Sequence, residues 1–166
     1  RPKRKVGVVG VVVDLSTPAH AIGWARKWLN AVVVKRKIKK DVLLIGNKYD
    51  LFKSSTLISA RQKKVLAKAL RAIALTHGAS LYFLSARHQT TFRSTKPNAT
   101  IEADLPILFV PANTDTVEAI NDDEDDDARL QRHFEIPKKK DASSSSLDLF
   151  LREAIAETWG AENVPE

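Results

Sequence analysis

Three apolar runs set the frame of this chain. Val6–Leu15 is Val-rich and continuous rather than alternating, the pattern of a parallel strand covered on both faces. Asp41–Gly46 and Ala79–Leu84 are two further strand-like runs. Between the first two, Ser16-Thr17-Pro18 supplies a hydroxyl cap and a first-turn proline. From there Ala21, Ile22, Ala25, Trp28, Leu29, Val32 and Val33 recur at helical spacing, which predicts a helix to about Val34. Lys35 to Lys40 follow, cations suited to its negative end. Trp24 and Trp28 lie one turn apart and can meet one surface, either the core or a partner. Between the second and third strands, Ile58, Val65, Leu66, Ala69, Leu70 and Ile73 predict a helix from about Leu57 to Thr76, with Gly78 as its left-handed stop. Strand–helix–strand–helix–strand at these lengths predicts an α/β fold, a parallel sheet with right-handed crossovers.

Beyond Arg87 the pattern loosens. The polar stretch from Gln89 to Thr100 reads as a loop, and Leu105–Pro111 as a short extended run that its prolines confine to an edge or an irregular segment. An acidic block at Asn121–Asp127, Lys138–Lys140 and a serine tract at Ala142–Ser146 cannot bury enough surface to order themselves, so 121–146 is expected to be a mobile linker. No calcium-loop spacing occurs in it. A final stripe of Leu147, Phe150, Leu151, Ala154, Ile155 and Trp159, stopped by Gly160, predicts a helix that packs back on the domain or enters a partner's groove. The expected organisation is a domain over 1–120, a linker over 121–146 and a helix over 147–160.

Composition adds limits. At 166 residues and 43% hydrophobic, the chain has material for one core. No apolar stretch approaches a membrane span. Zero Cys excludes disulfides and cysteine zinc sites, and His20, His77, His88 and His133 are scattered, so no metal site is expected. The net charge of +7 conceals a division: residues 1–120 carry 21 Lys and Arg against 7 Asp and Glu, whereas 121–166 carry 6 against 13. The basic clusters at Arg1–Lys5 and Lys35–Lys40 lack interleaved aromatics and any nucleic-acid motif, so nucleic acid is not the expected partner.

The second strand ends in Asn47-Lys48-Tyr49-Asp50, an N-K-x-D sequence at the sheet edge where open α/β folds bind ligands. Its residue types suit guanine. The Asp50 carboxylate can accept from both the ring N1–H and the exocyclic amine, a match adenine does not offer. Asn47 can fix neighbouring loops, and the stem of Lys48 can lie over the ring. The third strand ends in Ser85-Ala86-Arg87, and GTPase-like folds place at this point a loop whose backbone N–H meets the base oxygen. The candidate pocket is therefore Asn47, Lys48, Asp50, Ser85 and Ala86. No G-x-x-x-x-G-K-[ST] phosphate loop and no D-x-x-G is present: Gly7 and Gly10 are followed by valines, and Asp14 by Leu15-Ser16-Thr17. No catalytic residue is assigned. The start at Arg1 favours an upstream segment carrying the phosphate-binding half, in which case GDP or GTP would be the ligand; the alternative is a fold that has given up catalysis and binds no cofactor.

The run Leu43-Leu44-Ile45-Gly46-Asn47-Lys48-Tyr49-Asp50-Leu51-Phe52 resembles the dynein light intermediate chains, as do Leu70–Ala74 and His77–Ser85. Val12-Val13-Asp14-Leu15-Ser16 with Pro18 and a Trp-bearing helix also fits, and Phe109–Asp115 is similar to a further family segment, with Asn113 in place of a glycine. The similarity spans about residues 6–120 and is greatest to the branch that serves cytoplasmic dynein 2, the retrograde intraflagellar-transport motor. It implies a partial Ras-like, P-loop NTPase-type sheet in a non-catalytic motor subunit of cytoplasm, cytoskeleton and cilium or flagellum. The implied partners are a dynein heavy chain, met through Trp24, Trp28 and the edge near Leu105–Pro111, and transport or cargo proteins. The acidic insert and the terminal helix find no match in the family, and Phe150 and Trp159 are candidate partner contacts from that helix's own apolar stripe. The rival expectation is a guanine-nucleotide switch represented by its carboxyl-terminal half.

Overall fold

A computed structural model describes residues 7–35, 42–85, 109–121 and 144–161. Strand β1 (Val9–Asp14) leads to helix α1 (Pro18–Leu29), which widens into a π-helical turn over Asn30–Lys35. Strand β2 (Val42–Asn47), a short helix α2 (Tyr49–Ser54), helix α3 (Ala60–His77) and strand β3 (Ser80–Phe83) follow. Strand β4 (Phe109–Val110), helix α4 (Val117–Asn121) and helix α5 (Ser144–Trp159) complete the described elements. The sheet order is β1-β2-β3-β4, parallel across the first three strands and antiparallel at β4. The architecture is thus α/β with a four-stranded mixed sheet, where the sequence alone predicted a parallel one.

Both faces of the sheet were expected to be covered; among the described residues, helices cover one. Val11, Val13, Val42, Leu44, Leu81, Phe83 and Val110 point into the core, whereas Val8 and Val12 on the opposite face are 61% and 59% exposed. The reason is topological. Two right-handed crossovers that advance in the same direction, β1 to β2 to β3, put α1 and α3 on the same side. A run of valines has the same appearance whether one or both faces are covered, so the sequence could not distinguish the cases. On that opposite face Leu43, Ile45 and Tyr82 are half-buried, and Tyr82 stacks on Phe109 with ring centroids 4.3 Å apart. Among the described strands β1 is an edge, carrying no proline and no charge before Asp14.

Helix α3 is the centre of the covered face. Its buried Leu66, Leu70 and Ile73 each contribute roughly 2 kcal/mol by leaving water. It begins three residues later than the apolar spacing indicated, because Ser59 and Gln62 form a reciprocal capping box: the Ser59 hydroxyl accepts from the Gln62 N–H, and the Gln62 side chain accepts from the Ser59 N–H. Leu57, at the expected start, is 94% exposed. Gly78 closes the helix with φ +61°, as its position predicted. Helix α1 likewise ends as an α-helix at Leu29, short of Val34, with the remainder π-helical. Helix α2 was not foreseen; Lys63 stabilises its end by donating to the carbonyls of Lys53 and Ser55 at 2.7 and 2.9 Å.

Helix α5 begins at Ser144, so its first residues come from the serine tract assigned to the linker. It lies against α3 and α1, and Phe150, Leu151, Ala154 and Ile155 are buried in the same core as the sheet. Residues 122–143 of the expected linker, 36–40 of the second basic cluster and 105–108 of the expected edge run lie outside the described residues. A second tie comes from Arg71 on α3, whose Nε and Nη2 each donate to the Asp115 carboxylate at 2.8 Å; both side chains are 7% exposed.

Candidate functional site

The ends of β1, β2 and β3 lie side by side. Asp14 is the register partner of Asn47, and Gly46 that of Phe83. Just past the strands the chain is held by main-chain hydrogen bonds: Leu15 N donates to the Asn47 carbonyl at 3.1 Å, Leu84 N to Gly46 at 2.8 Å, and Tyr49 N to Leu84 at 3.0 Å. Gly46 has to be small here, since a Cβ would come within 3.0–3.1 Å of both Leu15 methyls and of Phe83. Lys48 then adopts a left-handed conformation, φ +60°, which turns the chain out of the sheet and into α2.

That turn carries the Lys48 ammonium across to β1, where it donates to Asp14 Oδ2 at 2.5 Å. The other oxygen, Oδ1, accepts from the Ser16 N–H at 2.9 Å and from the Ser16 hydroxyl at 2.6 Å. The Asp14 carboxyl, ordinarily near 3.8, is held down to about 2, chiefly by the Lys48 hydrogen bond and next by that from Ser16. A depressed value means that the brace stabilises the fold above the ordinary carboxyl range and is lost as pH falls through about 2. Both side chains are nearly half exposed, so the pair serves geometry more than stability. Carbon-13 NMR is expected to place the Asp14 titration near pH 2, with Lys48→Ala moving it up towards 3.8. A midpoint indifferent to Lys48→Ala would contradict the assignment.

Sequence reasoning singled out Asn47, Lys48, Asp50 and Ser85, and the structure brings them to neighbouring strand ends. Asn47 closes β2, Asp50 is half-buried in the first turn of α2, and Ser85 follows the Leu84 carbonyl that holds Tyr49. Asp50 and Ser85 are both engaged within the molecule. Ala86 lies outside the described residues. Asp14 was missed as a member of the site. Its failure to fit D-x-x-G removed it from consideration, and only a strand at the end of a parallel pair, in register with Asn47, could have drawn it back. Among the described residues no three His, Asp or Glu cluster as a metal site, and no helix is long and apolar enough to cross a membrane.

Tyr49, the variable position of the tetrapeptide, anchors the loop from below. It is buried, with its ring centroid 5.5 Å from that of Phe83 and 6.3 Å from that of Phe52. Burial pushes its phenol up to about 12, and its hydroxyl has no hydrogen-bond partner among the described residues. An unsatisfied buried hydroxyl costs about 1–3 kcal/mol. Tyr49→Phe is therefore expected to leave the urea midpoint unchanged or raise it, whereas a fall of that same size would show that the hydroxyl has a partner.

The residues put forward for partner contact divide. Trp24 and Trp28 are 59% and 49% exposed, which corrects the core alternative for this pair. On a wheel of 100° per residue they lie on the flank of the buried Ala21, Ile22, Ala25 and Leu29 stripe, with Trp24 well outside it. Phe150 is buried, whereas Trp159 is partly buried and packs against the same core. No protein-family profile matches the chain, and no curated protein matches it.

Proposed function

We propose that this chain is a non-catalytic subunit of a dynein motor, of the light intermediate chain type, stabilising the heavy chain and supporting retrograde intraflagellar transport in cytoplasm, cytoskeleton and cilium or flagellum. Its sheet is read as the base-binding part of a Ras-like, P-loop NTPase-type domain. The observation that supports this best is the brace at the strand ends: Asn47-Lys48-Tyr49-Asp50 leaves β2 beside Ser85, while the chain's own Asp14 takes the Lys48 ammonium. A loop that satisfies its lysine internally keeps its shape without a ligand. That is what a scaffold descended from a nucleotide-binding fold requires. The exposed Trp24 and Trp28 give such a scaffold a surface for its heavy chain.

A guanine-nucleotide switch is the second reading, favoured by the convergence of Asn47, Asp50 and Ser85 at adjoining tips. These groups suit a guanine base; this sequence supplies no glycine-rich cradle for the phosphates, which carry most of a nucleotide's charge. Fluorescence of a methylanthraniloyl-GTP analogue with the full-length protein separates the two. The scaffold reading predicts weak binding or none, insensitive to magnesium, with no GTP turnover. Tight magnesium-dependent binding, lost in Asp50→Asn, would replace it with the switch.

A further inference from the structure

On the outward strip of α1, large aromatic side chains and positive charge coincide. His20, Trp24, Lys27 and Trp28 are all exposed and fall on adjacent turns of one helix. Single exposed apolar residues are ordinary on protein surfaces, but two tryptophans one turn apart form a contiguous patch of the kind that anchors interfaces. Along the chain, the described stretch 15–35 carries Arg26, Lys27 and Lys35 and no Asp or Glu.

We propose that this strip docks an acidic amphipathic helix of a partner protein, with aliphatic or aromatic residues of that helix seated on Trp24 and Trp28 and its carboxylates facing Lys27. The charge of the strip selects among the occupants. A second copy of this chain brought up by two-fold symmetry would set cation against cation, with no carboxylate on α1 to relieve the repulsion. A polyanion such as RNA derives its affinity from several phosphate contacts, whereas Lys27 is the only exposed Lys or Arg of described burial on α1; Arg26 is half-buried and already engaged. The apolar contribution of two indoles outweighs one ion pair, which favours a peptide with an apolar face and complementary charge. The inference deepens the scaffold reading by giving the chemistry of the segment that such a scaffold would bind.

The test uses the full chain and a fluorescein-labelled peptide of about 18 residues, with Leu and Phe at i, i+3, i+4 and i+7 and Glu at the remaining positions, followed by anisotropy. Saturable binding is expected to the acidic peptide, and none to the same peptide with Lys in place of Glu. Trp24→Ala with Trp28→Ala should weaken it at least about tenfold, and Lys27→Glu should weaken it and flatten its salt dependence. Because these side chains are exposed, circular dichroism melts should coincide with the wild type. Absent binding, binding unaffected by the double tryptophan variant, or preferential capture of phosphatidylserine vesicles or of an oligouridylate of about 20 nucleotides would each overturn the proposal. The scaffold reading fails separately: a wild-type protein that binds the peptide but no heavy chain removes that reading alone, and one whose double tryptophan variant still holds a heavy chain removes only this inference.

Discussion

A chain ending before Ser144 is expected to lose the fold of the whole domain, not merely an appendage. Helix α5 places Phe150, Leu151, Ala154 and Ile155 in the core shared by α1, α3 and the inner face of the sheet, all at 8% exposure or less. Removing one large aliphatic or aromatic side chain from such a site costs about 2–5 kcal/mol, and three of these four are large. The sum is comparable to the roughly 5–15 kcal/mol that holds a domain together. Deleting 144–166 should therefore give a chain with no cooperative urea transition. The milder Ile155→Ala should keep the transition and move its midpoint down by an amount equivalent to about 2–5 kcal/mol. Were α5 a detachable recruitment element instead, both variants would unfold with the wild-type midpoint.

Asp115→Ala carries the other large effect. Arg71 and Asp115 meet in a two-pronged pair with both side chains almost wholly out of water, linking α3 to the turn before α4. Truncating the carboxylate removes both of the short charge-assisted bonds that the guanidinium makes to it, in a setting almost wholly out of water. Breaking one side of a buried pair costs about 3–5 kcal/mol, while replacing both partners with apolar residues is often neutral. Denaturant unfolding should show that loss for Asp115→Ala and recover most of it in the double variant Arg71→Leu, Asp115→Leu. A loss shared equally by the single and double variants would mean that the pair contributes position and not charge compensation.

The features legible in the sequence are those fixed by local pattern. The three parallel strands follow from their apolar runs, α3 from its three- and four-residue spacing, and its end from Gly78, whose left-handed geometry a glycine adopts without strain. The start of α3 was written in Ser59 and Gln62 but obscured by Leu57 and Ile58, which look like the first turn of an apolar stripe and precede the cap. What sequence could not supply depends on chain segments far apart. Lys48 meets Asp14 across 34 positions and Arg71 meets Asp115 across 44, and no spacing rule reaches so far. The placement of α1 and α3 together on one face of the sheet is of the same kind: it follows from the order of the strands in space, which an isolated run of valines does not encode.

The candidate site shows both sides of this. Asn47, Lys48 and Asp50 announce themselves as a tetrapeptide after a strand, and Ser85 as the end of the next. Their chemical state depends on a fourth residue. With Asp14 accepting from its ammonium, Lys48 lies against the edge of β1, and the loop is held by hydrogen bonds internal to the chain.

Affinity purification of the tagged full-length protein from a ciliated or flagellated cell, followed by gradient sedimentation, bears on the function most directly. A dynein heavy chain is predicted to co-sediment with it in fixed proportion, for the wild type and for Asp50→Asn alike. A protein that sediments alone, or whose association with the heavy chain appears only with GTP and vanishes in Asp50→Asn, would contradict the non-catalytic scaffold.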